Sequence, residues 1–267
     1  MEGILEKILD TLSFTQNNGV ATVTLKNLTK MNAFNQQMHA DWREILDHLE
    51  KDDTVRVLIT TGEGKAFCSG QDLSETPFSD DGTSAVGEVL DKDYTPFLLR
   101  FMGLPFPTIN AVNGAAAGAG ANFALAADIV VAAHSAFFEE SFCKIGLIPD
   151  VGGTWMLPRL VGRARALGMM LSAQRVDAQT AQDWGMIWQA VPDEALIETV
   201  QGYAQRITYG PRESFKLIKK AVMLSENNSL EQQLDVERDF QVQAGNHPDF
   251  KEGLMAFSEK RMPNFKK

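Results

Sequence analysis

Asp150 sits in the run Gly146-Leu147-Ile148-Pro149-Asp150-Val151-Gly152-Gly153-Thr154, where almost nothing else can exchange a proton. Two loops of small residues precede it, Ala66-Phe67-Cys68-Ser69-Gly70-Gln71-Asp72-Leu73 and Asn113-Gly114-Ala115-Ala116-Ala117-Gly118-Ala119-Gly120-Ala121. Glycine and alanine let a ligand approach the backbone, and a helix N-terminus presents unpaired N–H groups with partial positive charge. Two such donors and one carboxylate suit proton movement beside an acyl carbonyl, with neither metal nor nucleophile required.

Each of these features also has a purely structural explanation. The loop from Asn113 to Ala121 fits a tight strand-to-helix crossover, where small residues are needed for steric reasons. Cys68 has no basic partner in its neighbourhood and reads as a small packed thiol. Asp72 reads as a turn or cap carboxylate. Asp150 at a helix N-terminus would contribute about 0.3–1 kcal/mol by the helix dipole alone. Trp155 is equally explained by core packing. It is the combination of two donor loops with one carboxylate that favours chemistry.

The elements that position these residues follow from pattern. Leu12–Gln16 and Val20–Leu25 flank Asn17-Asn18-Gly19 and predict a hairpin. Met38, Trp42, Ile45 and Leu49 form a helical stripe between Asn35 and Leu49. Val55–Thr60 and Thr108–Val112 read as strands, Tyr94–Met102 as a helix. Ala119–Ala127 reads as another helix, with a strand at Ile129–Ala132. Strands alternating with helices predict a mainly parallel α/β core. Residues 74–88, rich in Ser, Thr, Asp and Gly, read as a mobile loop. Beyond Pro192, segments 194–207, 212–225, 229–244 and 248–260 read as consecutive helices, so a boundary is expected near 195, dividing 1–195 from 196–267.

Bulk composition narrows the function. The 267 residues are 44% hydrophobic and 22% charged, as expected of a soluble globular chain with a sizeable core. A formal net charge of −10 opposes nucleic-acid binding. Two cysteines, Cys68 and Cys143, indicate no disulfide framework and favour a reducing cytoplasm. The segment from Met1 to Lys7 lacks the pattern of a signal peptide. The apolar stretch Ala115–Phe138 contains Asn122, Asp128 and His134. An aspartate at mid-span would cost roughly 2.5–3.5 kcal/mol, so a buried helix and strand explain the stretch better than a membrane span.

Several ordered motifs together resemble one family. Phe67-Cys68-Ser69-Gly70-Gln71-Asp72-Leu73, Ala111-Val112-Asn113-Gly114 with Gly118-Ala119-Gly120, Asp128-Ile129, and Gly146-Leu147-Ile148-Pro149 through Gly152-Gly153-Thr154 are similar to the crotonase (enoyl-CoA hydratase/isomerase) superfamily. The resemblance runs from about residue 12 to Ala256-Phe257-Ser258-Glu259-Lys260-Arg261. It implies an α/β spiral of ββα units, a C-terminal helical region used in trimerisation, and a homotrimer or dimer of trimers. It also implies an acyl-CoA substrate and no separate cofactor, coenzyme A being part of the substrate. The oxyanion donors map onto the backbone N–H groups of Gln71 and Ala119. Acyl-CoA contacts map onto Lys30, Ala66, Ser69, Gly70 and Leu73, and Phe257 and Lys260 match positions that reach coenzyme A from a neighbouring subunit.

The resemblance also bears on the reaction. Family hydratases activate water with two glutamates, and the matching positions here are Asn122 and Phe142. Neither transfers a proton at neutral pH, which argues against ordinary hydration. Glu139 and Glu140 fall outside those slots and read as exposed strand-end carboxylates. Asp150 matches a third carboxylate position, used by isomerase and dehalogenase branches. In an apolar pocket with Phe142, Leu147 and Trp155 its pKa should rise. Gly162-Arg163-Ala164-Arg165-Ala166, Trp184 through Gln189 and Gln233 through Asp239 further resemble a branch that isomerises epoxidised aryl thioesters. The expectation is an acyl-CoA isomerase acting through Asp150, Gln71 and Ala119. Enoyl-CoA hydratase-like activity, aryl-CoA dehalogenation with Asp150 as nucleophile, and non-catalytic acyl-CoA binding are the alternatives.

Overall fold

The computed structural model describes residues 5–75 and 84–265. Strand β1 (Leu5–Ile8) pairs antiparallel with β2 (Leu12–Asn17), which forms the expected hairpin with β3 (Val20–Leu25). Helix α1 (Gln36–Leu49) follows, capped by the Asn35 side chain, which accepts from the Met38 N–H. The chain then repeats one unit. β4 (Val57–Gly62) and β5 (Ala66–Cys68) are followed by α2 (Val86–Val89) and α3 (Thr95–Met102). β6 (Thr108–Val112) and β7 (Ala115–Ala117) lead into α4 (Ala119–Leu125). β8 (Ile129–Ala133) and β9 (Phe137–Glu139) lead into α5 (Gly153–Ser172).

The first strand of each pair enters one sheet and the second strand another. The larger sheet has the order β1-β2-β3-β4-β6-β8-β11, parallel from β3 onward, with β11 at Gln189–Val191. The smaller has the order β10-β9-β7-β5, with β10 (Val176–Asp177) antiparallel to β9. This is the ββα spiral that the motifs imply. The short strands of the smaller sheet, and β1, have no readable hydrophobic period, and sequence pattern missed them as strands.

Close packing between turns of the spiral explains the small residues. A Cβ on Gly120 would lie 2.1 Å from the Cys68 carbonyl oxygen, so α4 can press against the Cys68 segment only with glycine there. Asn113 ties the same turns together, its Oδ1 accepting from Gly62 N–H and its Nδ2 donating to Gly64 O. An aromatic cluster locks the helices behind them. Phe123 of α4 packs on Trp42 of α1 and on Phe97 and Phe101 of α3, with ring centroids 5.1–5.6 Å apart.

After residue 195 come helices α7 (Leu196–Thr208), α8 (Arg212–Ser225), α9 (Leu230–Gly245) and α10 (Pro248–Glu259), preceded by α6 (Ala178–Asp183). The change of character at 195 is not a break in packing. α7 buries Leu196, Val200 and Ala204 and contacts β3, β4, β6 and β8. The exposed apolar side chains concentrate later, on α8 to α10, where Val222, Leu234, Val242, Leu254 and Phe257 are exposed. Among the described residues no helix is long and apolar enough to cross a membrane.

Candidate active site

The two donor loops and Asp150 converge on one cavity of about 120 Å³, walled by Ser69, Gly70, Gln71, Gly118, Ala119 and Asp150 and by apolar side chains. Around Gln71 the backbone is specialised. It forms an isolated parallel bridge to Phe34 in which Phe34 N–H donates to Gly70 O and Asp72 N–H donates to Phe34 O. Both Phe34 bonds go to the flanking residues, which turns the Gln71 N–H away from Phe34. Gly70 holds φ +101°, in the left-handed region, and a Cβ there would lie 2.9 Å from Ala117 O and 3.5 Å from Ala119 N. Glycine is therefore what brings the two loops together. Ala119 is the first residue of α4, so its N–H has no carbonyl of the preceding turn to bond, whereas Gly118 N–H is taken by Glu139 O.

Asp150 supplies the opposite chemistry. Its Oδ1 is buried without a hydrogen-bond partner, while its main-chain oxygen accepts from Gly153 N–H and from Asn122 Nδ2 at 2.8 Å. The side chain therefore does not cap α5; only its backbone is used. Burial pushes the carboxyl up to about 6, offset in part by a bond from its own backbone. A carboxyl poised there is mostly ionised at neutral pH yet a stronger base than an ordinary aspartate.

The remaining wall is apolar, formed on one part by Leu73, Phe142, Ile145 and Leu147 and on the other around a π-helical turn, Leu90–Tyr94, between α2 and α3. Its wider pitch puts Leu90 and Tyr94 on one face, alongside Val86 and Val89. Tyr94 O–H donates to Gln71 Oε1 at 2.6 Å and so fixes the Gln71 side chain beside its own amide. Sequence reading missed Tyr94 as a site residue, since an aromatic inside a helix carries no signal for that role. Residues 76–83 of the expected mobile loop lie outside the described residues, and 86–89 form α2.

Of the residues singled out from sequence, Ser69, Gly70, Gln71, Leu73, Ala119, Phe142 and Asp150 line the cavity, together with Leu147. Lys30 stands outside it, donating to Ser74 Oγ at 3.0 Å and paired with Asp72 at 3.4 Å. Ala66 is buried in β5, its carbonyl accepting from Asn32 Nδ2. Asn122 lies behind the wall. Trp155 is outside as well, half-exposed with the Arg159 guanidinium 4.3 Å from its ring centroid. Phe257 and Lys260 end α10, with Phe257 87% exposed, and neither reaches the cavity of its own chain.

Four other side chains singled out from sequence lie outside the cavity lining. Asp72 accepts from Ser74 N–H and O–H, and these bonds, Ser74 O–H first, hold its carboxyl below the usual range. Cys68 is buried, and burial raises its thiol to about 12, so it is a packing residue. Glu139 and Glu140 correct the expectation of exposure: both are buried, at 5% and 0%. Glu139 is met by Lys144 and Arg175, and Glu140 faces Asn122 of α4.

The amide at the start of α4, the amide beside the Phe34 bridge and an unpartnered carboxyl thus belong to residues that line one largely apolar cavity on a ββα spiral. The enoyl-CoA hydratase/isomerase family profile matches residues 15–267, and the chain belongs to that family. It is 48% identical over 248 residues to a 1,2-epoxyphenylacetyl-CoA isomerase of Escherichia coli K12, covering 92% of this chain and 95% of that one. It is 43% identical to a probable enoyl-CoA hydratase of Rhodobacter capsulatus, covering 96% and 97%. Among solved structures, an enoyl-CoA hydratase from Bacillus anthracis superposes with TM-score 0.88 at 30% identity, covering 98% of both chains.

Proposed function

We propose that this chain is an acyl-CoA isomerase in which Gln71 N–H and Ala119 N–H hold the thioester carbonyl and Asp150 moves the proton. The substrate reading is 1,2-epoxyphenylacetyl-CoA, opened to the seven-membered oxepin thioester, with Δ3-to-Δ2 enoyl-CoA isomerisation as a related activity in the same site. The observation that carries it is that Asp150, whose Oδ1 is buried without a partner, lines the same largely apolar cavity as Gln71 and Ala119, whose amides have no backbone acceptor. Negative charge that develops on the thioester oxygen is stabilised by the two donors, and Asp150 takes a proton from one carbon and returns it to another. Asn122 and Phe142 stand where family hydratases carry glutamates, which leaves one carboxylate for the chemistry. The 48% identity to an epoxide isomerase supports an aromatic acyl group and a place in phenylacetate breakdown.

The coenzyme arm of the substrate would run past Ser69, Gly70 and Leu73 towards Ala66 and Lys30. Phe257 and Lys260 would meet it from a neighbouring protomer, in a homotrimer or dimer of trimers. The exposed apolar side chains of α8 to α10 support that assembly. Coenzyme A is the substrate's own carrier and no further cofactor enters the scheme; a cytoplasmic setting is the natural one for it.

The test is turnover of 3-enoyl-CoA and epoxidised aryl-CoA thioesters by the wild type and Asp150→Asn, read by absorbance and mass spectrometry. Isomerisation is expected in the wild type and not in the variant, with acyl-CoA binding kept. An ester trapped on Asp150 in single turnover would replace isomerisation by dehalogenation. Tight binding with no turnover of any thioester would make the chain a binding protein. Because the carboxylate is the working form, kcat/KM should rise with pH around a midpoint near 6.

A further inference from the structure

Glu140 is fully buried, both of its carboxyl oxygens lack a hydrogen-bond partner, and it is not among the residues that line the site cavity. Nothing in the scheme above uses it. An ionised carboxylate placed so would cost several kcal/mol unless a cation compensated it. The cations that reach this strand end are committed elsewhere: Lys144 and Arg175 both bond Glu139, at 2.6 and 2.7 Å. What faces Glu140 is the Asn122 side chain from α4 and, farther off, the Asp150 carboxyl from the loop before α5.

Asn122 shows the matching deficiency. Its Nδ2 donates to Asp150 O at 2.8 Å, but its Oδ1 is buried with no donor. The amide cannot move to find one. A Cβ on Gly153 would lie 2.3 Å from Nδ2 and 2.5 Å from Oδ1, so Asn122 is wedged against the first turn of α5. A buried acceptor without a donor beside a buried acid without a cation is resolved by a single proton.

We propose that Glu140 is a positioning residue held as the neutral acid, whose O–H donates to Asn122 Oδ1 and so locks the amide that grips the Asp150 backbone. Glu140 touches no substrate atom and acts on Asp150 through Asn122. Burial, and to a lesser degree the Asp150 charge, push its carboxyl up to about 7, with the Asn122 amide opposing. Asp150 with its lower value loses its proton first, while Glu140 still carries the bridging one. Raising the pH further ionises Glu140, removes the donor to Asn122, and sets a second negative charge near the base. The enzyme should therefore have an alkaline as well as an acid limb.

The inference rests on Asp150 being the base, and the experiment has an arm that does not depend on it. Infrared difference spectra of wild type and Glu140→Gln, without substrate, should show a carboxylic-acid C=O band at pH 6 that is absent from the variant and titrates near pH 7. In the activity arm, kcat/KM against pH should fall above about pH 7 in the wild type, and Glu140→Gln, whose amide still donates, should lose that fall. Glu140→Ala should drop kcat by about tenfold at pH 6.5, and Glu140→Gln should restore most of it. No acid band at pH 6, or coincident alkaline limbs for wild type and Glu140→Gln, overturns the proposal. A band without turnover of any thioester keeps it and removes instead the isomerase reading.

Discussion

Glu139 and Glu140 are adjacent and both buried, and they differ in what meets their carboxyls. Glu139 is met by Lys144 and Arg175, and although burial opposes ionisation, those bonds hold its carboxyl below the usual range. Glu140 and Asp150 are met by amides and apolar side chains, and burial lifts them to about 7 and about 6. The fold supplies cations on the outer side of this strand end and withholds them on the inner side. Where charge has a partner the carboxylate is structural; where it has none the proton remains exchangeable near neutral pH.

The comparison breaks most visibly at Asp150. Asp150→Asn should lower kcat by on the order of 10²–10⁴, the range of a lost general base. The same change should stabilise the protein at pH 7.5. A carboxyl raised from 3.8 to about 6 in the folded state makes stability fall as pH climbs through that window, by up to about 3 kcal/mol. A thermal midpoint that rises while activity vanishes is the expected pair; a variant both inactive and less stable would mean the carboxyl holds the fold.

On the opposite wall, Ala119→Pro deletes one N–H at a helix position where proline fits. The expected loss is about 10²–10³ in kcat with the fold retained, as circular dichroism would report. An unchanged rate would remove Ala119 from the oxyanion hole. Glu140→Gln sharpens the inner-side argument without chemistry. Its folded carboxyl lies at about 7 against 4.5, so wild-type stability is fully present below pH 4.5 and declines as pH rises to about 7. The variant should gain up to about 3 kcal/mol over the wild type at pH 8 and nothing at pH 4 in denaturant unfolding.

The asymmetry itself was only partly legible in the sequence. Small-residue spacing marks the loops around Gln71 and Ala119 as backbone that can come close to a ligand, but the roles given to Gln71, Ala119 and Asp150 are what the resemblance of their motifs to the family implies. The hairpin at Asn18-Gly19 and the stripe of Met38, Trp42, Ile45 and Leu49 were legible from a local rule with a fixed period. The burial of Glu139 and Glu140 is not legible because it comes from tertiary neighbours, β7, β10 and α6 packing on their strand and Asn122 of α4 facing Glu140. Tyr94 escaped because its role depends on one π-helical turn, and β5, β7, β9 and β10 because strands of two or three residues have no period to detect.

The outer side provides the smallest and most discriminating test. Glu139→Gln removes a charge bonded to two cations whose side chains are more than half exposed, so screening leaves only about 1 kcal/mol of destabilisation at pH 7. Its pH dependence has the opposite sign to that of its neighbour. A depressed folded value gives stability that is present above the unfolded value of about 4.5 and lost as pH falls through the folded one. Wild type and Glu139→Gln should thus converge in strong acid and stay separated at pH 8, whereas wild type and Glu140→Gln converge at pH 4 and separate on the alkaline side. Parallel curves for the two variants would mean that the strand end does not sort its carboxylates by cation, and the contrast between its two sides would fail.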